Sequence, residues 1–426
     1  MKSTRNYPLL LSSQFLSAFG DNAILAVIIG QLTVMQKHGA ITESALRERS
    51  ALYTSLLFIP YILLAPLAGY LNDRFAKTTW LTGGNVVKLL GTLVCGLSIW
   101  FGYIWQAPGY VIVGIGSCFY GPAKYGILPE ILPSERLVKA NGMVELLTLS
   151  AIITGAVAGA FMVDRLSLVV CYVVLAAIFG ASLLLNLAMD RSPSNPGTRL
   201  APSIAEFGTH AAGLLTAPRL GRVLVGTALF WVCGAAMKIN FQAWGLGVLH
   251  LPNNLQVSLL GLWLSVGVMS GSILAGRLHK VGELGCIRRY GFALVATLLM
   301  LWSVERLGFW RGLAVDAGPL RLFPWVLCLL VATGLAAGLF LIPLNAALQS
   351  ESDPTRLGKT IAVQNLCDNL GMLLAGGIVL VCSKSAAWFA FPISSGGVFL
   401  VLAILVSLVA AWLRFPTLPR TGAAGR

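Results

Sequence analysis

Residues 8 to 35 read PLLLSSQFLSAFGDNAILAVIIGQLTVM, an apolar stretch that is long enough to cross a bilayer and has Asp21 in its middle. A second apolar stretch, residues 223 to 249, carries Lys238 near its centre, 217 positions after Asp21 in a chain of 426 residues. A charge at the bilayer centre costs on the order of 3 kcal/mol, so it persists where it pairs with an opposite charge or binds a charged molecule. An acid and a base at matching depths of two matching segments therefore indicate a polar site between two halves of a membrane protein.

The composition of the whole chain agrees with a membrane protein. Hydrophobic residues make up 57% and charged residues 11%, and the mean hydropathy is +0.81. A soluble domain carries about 25% charged residues, so we expect an all-α protein that crosses the membrane many times. We predict 12 transmembrane helices, at residues 8–35, 51–71, 79–101, 108–126, 141–163, 167–188, 221–249, 255–278, 289–307, 322–349, 359–382 and 387–413.

The net charge of +14 reflects membrane orientation and does not indicate nucleic-acid binding. With both termini in the cytoplasm, the cytoplasmic segments carry 20 of the 30 basic residues and the opposite side carries 8, while Lys88 and Lys238 lie within spans. This bias follows the positive-inside rule and predicts an N-in, C-in topology.

The reactive residue types form no pattern typical of a metal site or an enzyme. The eight cysteines are scattered, mostly within spans, with no CxxC pair, and the four histidines lie in predicted loops. We find no Walker loop, no HExxH, and no GxSxG with suitable partners. We therefore expect no metal, no cofactor and no catalytic residues.

The chain divides into two halves of six spans each. The longest loop, residues 189–220, is rich in Pro, Ser, Asn and Gly and is predicted to be a cytoplasmic linker between helical bundles at 1–188 and 221–426. The sequence RLVK at 136–139 recurs as RLGK at 356–359, an offset of 220 that is close to the Asp21–Lys238 offset. These features together predict a duplicated six-helix unit.

The loop between the second and third spans reads GYLNDRFAK at residues 69–77. It resembles the GxxxDRxxxR/K loop of the major facilitator superfamily, shortened at its basic end. That resemblance implies two pseudosymmetric six-helix bundles around a cavity that opens to one side at a time. We expect Asp73 to cap a helix N-terminus or to pair with a base of the other half. The predicted cytoplasmic gate comprises Asp73, Arg74, Lys77 and Glu130.

Four further segments resemble those of a single family within this superfamily. They are QFLSAFGDNA at 14–23, NVVKLLG at 85–91, PAKYGILPE at 122–130, and LVKANG at 137–142 followed by Glu145. Over residues 10–165 these segments resemble the lysophospholipid transporter (LplT-type) family of Gram-negative bacteria. The resemblance implies a flippase-like importer that moves lysophosphatidylethanolamine or lysophosphatidylglycerol from the outer to the inner leaflet of the inner membrane. A separate acyltransferase/acyl carrier protein synthetase would then re-acylate the product.

The predicted substrate-binding residues follow from the charges and amides within the spans. In the family a base is expected in the seventh span and is usually arginine; here it is Lys238, which keeps the charge and loses the bidentate fork. We expect Asp21 to engage a cation, namely Lys238, Lys124 or the cargo's ethanolamine, and the alternative is a structural ion pair. The predicted substrate-binding residues are Asp21, Asn22, Lys124, Tyr125, Lys238 and Asn240.

Three further charges lie within or near spans, and their roles stay open at this point. Lys88 and Glu145 could pair with each other or with Asp21, and Asp368 could balance Lys238 or serve cation coupling. Lys124 and Glu130 could also belong to the gate, or could simply reach the cytoplasmic surface.

Two other functions fit the same sequence. A proton-coupled drug or small-solute exporter would have the same fold and would lose activity when Asp21 is neutralised. A membrane partner that only scaffolds an acyltransferase would tolerate that change.

Overall fold

A computed structural model describes residues 5–252, 254–307, 315–317, 320–389 and 393–415. Helices dominate this part of the chain, as the composition predicts. In chain order they are α1 (Asn6–Lys37), α2 (Glu43–Leu56), α3 (Phe58–Leu63), α4 (Ala65–Arg74), α5 (Lys77–Gly96), α6 (Ser98–Phe101), α7 (Gln106–Gly126), α8 (Leu128–Ile131), α9 (Leu137–Arg165), α10 (Leu168–Leu187), α11 (Leu200–Ala205), α12 (Phe207–Thr216), α13 (Leu220–Gly247), α14 (Asn254–Leu278), α15 (Ile287–Ser303), α16 (Pro324–Glu351), α17 (Leu357–Phe389) and α18 (Gly397–Trp412).

Nine helical segments of the described residues are long and apolar enough to cross a bilayer, and a bent pair raises this number to ten. α15 overlaps the predicted span at 289–307 and ends at Ser303, and α18 is a shorter apolar helix. The predicted last span, 387–413, begins too early, because α17 continues to Phe389 and α18 begins at Gly397; residues 390–392 within it lie outside the described part. The 12-helix count and the N-in, C-in orientation stay predictions.

The predicted second span, residues 51–71, is broken at Leu64. The segments Glu48–Leu63 and Ala65–Arg74 meet at 57°. Pro66 occupies the first turn of α4, where its missing N–H costs nothing, whereas a proline in the middle of a continuous helix would remove a hydrogen bond and disfavour the preceding turn. The bend is therefore encoded locally.

Glycines allow some of the helices to pack backbone to backbone. A Cβ atom on Gly155 of α9 would collide with the carbonyl oxygen of Phe19 on α1, and one on Gly159 would collide with that of Ala23. α14 and α16 contact each other in the same way through Gly267, Gly271, Gly334 and Gly338. Small residues at four-residue spacing are typical of close contacts between membrane helices.

Two compact units emerge from the contacts within the chain. The first unit comprises Met1–Ser134, Met143–Leu214 and Ser352–Asn369, and the second comprises Glu135–Gly142, Leu215–Glu351 and Leu370–Arg426. In the first unit, apolar residues of α1, α7 and α10 form a buried core, with Ile24, Ile28 and Phe179 fully buried. The predicted bundles at 1–188 and 221–426, joined by the linker 189–220, stay a prediction.

A short antiparallel pair of strands departs from an entirely helical protein. β1 (Val315–Ala317) pairs with β2 (Leu320–Leu322), with Val315 opposite Leu322. The pair lies between α15 and α16 in the sequence and leaves the helical architecture unchanged.

Candidate functional site

The first unit contains a polar cavity of about 60 Å³ among α1, α3, α5 and α7. Most of its lining side chains are charged or can form hydrogen bonds, although its walls are apolar membrane helices. Its polar lining comprises Gln14, Ser17, Asp21, Tyr61, Lys88, Ser117, Tyr120 and Lys124. A concave site with a few convergent polar groups is where a ligand is expected to bind.

An ion pair between α1 and α5 is the main feature of this cavity. The Lys88 Nζ lies 2.7 Å from Asp21 Oδ2, and the Ser117 hydroxyl donates to the same oxygen at 3.0 Å. The Lys88 side chain is 2% exposed and that of Asp21 is 16% exposed. Asp21 Oδ1 is buried and has no hydrogen-bond partner among the described residues. Asp21 therefore has one oxygen held by the protein and one buried oxygen that no described residue donates to.

The local sequence explains why these groups meet. Ser17 and Asp21 are four residues apart on α1 and therefore share one face of the helix. On α5, Asn85 and Lys88 are three residues apart and share a face in the same way. The Lys88 ammonium donates to the Ser17 hydroxyl at 2.8 Å as well as to Asp21.

A second group of charges lies where α7 ends. Tyr125 forms a hydrogen bond with Glu145 of α9, and Lys124 is within electrostatic range of the same carboxylate. The Lys124 Nζ lies 4.6 Å from the centroid of the Tyr125 ring. Glu145 is 1% exposed. Asp368, which is also buried, lies near Tyr125. The first unit therefore brings together two acid–base combinations, Asp21 with Lys88 and Glu145 with Lys124.

The other predicted substrate-binding residues are not part of this cavity lining. Asn22 donates to the carbonyl of Ala18 on its own helix at 2.9 Å. Lys238, on α13, is exposed and forms no ion pair with any described residue. Asn240 is buried, and its amide donates to the carbonyl of Ser395 at 2.8 Å.

Asp73, one of the predicted gate residues, caps the N-terminus of α17, and Arg74 follows it in the sequence. Asp73 Oδ1 accepts a hydrogen bond from the Gly358 N–H at 2.7 Å, and Oδ2 accepts from the Lys359 N–H at 3.2 Å. These are N–H groups of the first turn of α17, which have no partner within the helix. Arg74 follows directly, and its carbonyl accepts from the Asn195 N–H at 3.2 Å.

The other two gate residues form an ion pair. The Lys77 Nζ lies 2.5 Å from Glu130 Oε1, with side-chain exposures of 6% and 20%. Lys77 begins α5, and Glu130 lies on α8, the short helix directly after α7. The pair therefore links the second-to-third loop to the end of the fourth predicted span.

Sequence reasoning did not identify the hydroxyl and amide residues around Lys88. They are Ser13, Ser17, Asn85, Ser117 and Ser182. The four-residue and three-residue spacings from Asp21 and Lys88 could have identified Ser17 and Asn85. Ser182 on α10 has no such signal, because its contribution depends on how α10 packs on α1 and α5. Among the described residues, no cluster of three or more His, Cys, Asp or Glu side chains could hold a metal ion.

The apolar helices and the buried charges define a multi-pass membrane protein with a polar cavity among its helices. The model of the Major Facilitator Superfamily matches residues 10–315. A lysophospholipid transporter LplT of Photorhabdus laumondii is 32% identical over 418 residues, covering 97% of this chain and 96% of the relative. The LplT of Yersinia enterocolitica is 34% identical over 385 residues, covering 88% and 86%. The chain therefore belongs to the major facilitator superfamily and, within it, to the family of these LplT relatives.

Solved structures support the same fold. The human organic anion transporter MFSD10 aligns with a TM-score of 0.73 at 15% identity, covering 95% of this chain and 99% of that one. The E. coli fucose:proton symporter FucP aligns with a TM-score of 0.68 at 14% identity, covering 98% and 100%. At these identities the similarity establishes the fold and does not extend to the substrate.

Proposed function

We propose that this protein is a lysophospholipid transporter of the bacterial inner membrane. It moves lysophosphatidylethanolamine or lysophosphatidylglycerol from the outer to the inner leaflet by alternating access. A separate acyltransferase/acyl carrier protein synthetase re-acylates the product, and the transporter itself performs no chemical step. The LplT relatives, aligned over 97% of the chain at 32% identity, support the class of cargo.

The observation that carries the proposal is the Asp21–Lys88 pair with its open carboxylate oxygen. A lysophosphatidylethanolamine headgroup carries an ammonium and a phosphate. The ammonium can donate to Asp21 Oδ1, which has no partner among the described residues. The phosphate can accept from a lysine ammonium at the cavity, and Lys124 lines the same cavity. Hydrogen bonds between ionised partners are about twice as strong as neutral ones, so a zwitterion suits an acid and a base at one site.

Lys238 and the gate residues have supporting roles in this proposal. Lys238 is exposed and free of an ion pair with described residues, so its ammonium is available to a phosphate. The Asp73 cap on α17 and the Lys77–Glu130 pair are interactions that would hold the cytoplasmic side closed and would break when it opens. The single acyl chain would lie against apolar helix surface or lipid.

The proposal is tested by uptake and re-acylation of labelled lysophosphatidylethanolamine in spheroplasts that lack their own transporter. The wild type is compared with Asp21→Asn and Lys238→Ala at equal expression. Asp164→Asn serves as the matched control, because it removes the same charge from an exposed position at the end of α9. We expect uptake by the wild type and the control, and loss of uptake in the two other variants.

Two other outcomes would contradict parts of this proposal. No uptake by a well-folded wild type, together with drug efflux that responds to a pH gradient, would indicate the exporter. Uptake that is unchanged by both substitutions would support lysophospholipid as the cargo and would contradict a role for Asp21 and Lys238 in transport.

A further inference from the structure

The Lys88 ammonium is held by a second acceptor besides Asp21. Its Nζ donates to Ser17 Oγ at 2.8 Å and lies 5.0 Å from the centroid of the Tyr120 ring. Lys88 is 2% exposed, and Ser17 is 1% exposed. Because both side chains are almost fully buried, the loss of either acceptor would leave a donor of this ammonium without a protein partner.

Ser17 begins a chain of hydrogen bonds that runs in one direction. Because an ammonium only donates, the Ser17 oxygen must accept, and its own proton goes to Asn85 Oδ1 at 2.9 Å. The Asn85 amide donates to Ser182 Oγ at 2.7 Å, and the Ser182 hydroxyl donates to the backbone carbonyl of Ser13 at 2.8 Å. We call this series, from the Lys88 ammonium through Ser17, Asn85 and Ser182 to the Ser13 carbonyl, the Lys88 chain.

The two ends of the Lys88 chain fix the direction of every link. One end is a donor-only ammonium and the other is an acceptor-only carbonyl. Asn85 and Ser182 are both fully buried, so a broken link leaves a donor or an acceptor without a partner. Such a group is costly, and hydrogen bonds in a buried chain reinforce one another.

We infer that Asn85 and Ser182 are positioning residues that act on transport through Lys88. They orient the Ser17 hydroxyl so that it accepts from Lys88, and this holds the ammonium against Asp21 Oδ2 and leaves Asp21 Oδ1 for the cargo. This inference rests on the proposed function for its effect on transport.

A double-mutant cycle tests whether Asn85 acts through Lys88. Asn85→Leu is made in the wild type and in Lys88→Met, and transport of lysophosphatidylethanolamine is measured in spheroplasts. We expect a loss of about tenfold in the wild type, because Asn85 no longer accepts from the Ser17 hydroxyl that holds Lys88, and no further loss in Lys88→Met. Equal losses in both backgrounds, or no loss in the wild type, would overturn the inference.

The matched control is Thr92→Val. Thr92 is also fully buried on α5, and its hydroxyl donates to the backbone carbonyl of Lys88 at 2.9 Å, outside the Lys88 chain. We expect this control to transport like the wild type.

Ser182 provides a second comparison in which the shape of the side chain is constant. Ser182→Thr keeps the hydroxyl, whereas Ser182→Val has the same shape without it. We expect the threonine variant to transport about tenfold faster than the valine variant. Equal rates would mean that Ser182 contributes only packing, which contradicts its place in the chain.

If Lys88→Met no longer transports, the same cycle is measured by the unfolding midpoint of the purified protein. Asn85→Leu should lower the midpoint in the wild type and lower it less than half as much in Lys88→Met. This measurement does not depend on the cargo. If the wild type fails to transport lysophospholipid, the proposed function fails, and the midpoint cycle still decides whether Asn85 acts through Lys88.

Discussion

Breaking the Asp21–Lys88 pair from one side should destabilise the protein more than removing both charges. Lys88→Met leaves Asp21 without its counter-ion, whereas Asp21→Asn/Lys88→Met leaves two neutral side chains. At 2.7 Å and an effective dielectric constant of about 20, the Coulomb attraction is roughly 6 kcal/mol. Burial of each ion costs several kcal/mol, so most of this attraction offsets desolvation.

The net loss in the free energy of unfolding depends on how exposed each partner of the ion pair is. Removing one partner of a buried pair costs about 3–5 kcal/mol, whereas replacing the whole pair is often nearly neutral. Asp21 is 16% exposed and lines a cavity, so we take the lower end, about 3 kcal/mol, for Lys88→Met. The double variant should recover about 2 kcal/mol of this loss.

The assay is thermal unfolding of the purified protein in detergent, followed by the fluorescence of a thiol-reactive dye or by light scattering. We expect the unfolding midpoint to fall in the order wild type, double variant, Lys88→Met. A double variant that unfolds below Lys88→Met would contradict a stabilising ion pair, because each lost charge would then act independently of the other.

Three further predictions concern the gate and the linker. Asp73→Ala should speed amide hydrogen exchange in the first turn of α17 more than Asp73→Asn, because a lost cap costs about 1–2 kcal/mol and Asn keeps one acceptor; equal exchange would contradict the cap. Lys77→Glu should impair transport, and the charge swap with Glu130→Lys should restore part of it; no restoration would mean that the pair at 2.5 Å has no role. Burial, with nearby positive charges, lowers the pKa of His210 below its usual range, so the detached linker binds more protons than the docked one, and docking of α12 weakens as the pH falls below about 6.5. Limited proteolysis of the linker should therefore be faster at pH 5.5 than at pH 7.5 and become independent of pH in His210→Gln, which loses the ring that contacts Thr360.

Much of the fold could be predicted because long apolar stretches identify membrane helices in a sequence. The spans around Asp21 and Lys238 follow from local sequence, whereas the helix that Asp73 caps lies 285 residues further along the chain and could not be predicted from it. The break at Leu64 could also have been predicted from Pro66. The strand pair β1–β2 could not, because three-residue strands have too little pattern to distinguish them from a loop.

The partners of the buried charges were harder to predict. The sequence left Asp21 with several candidate cations, and the structure pairs it with Lys88. Helical periodicity gives the face of each helix, and it does not give the rotation of one helix against another. The same limit explains why Ser182, which lies on a third helix, could not be assigned to Lys88 from the sequence.

Transport of lysophospholipid is tested most directly by the flipping of a fluorescent lysophosphatidylethanolamine in proteoliposomes, followed by albumin extraction of the outer leaflet. We expect rapid flipping by the wild type and by Asp164→Asn, and a background rate for Asp21→Asn. Wild-type vesicles that flip no faster than protein-free vesicles, with correctly folded protein, would contradict the proposed function.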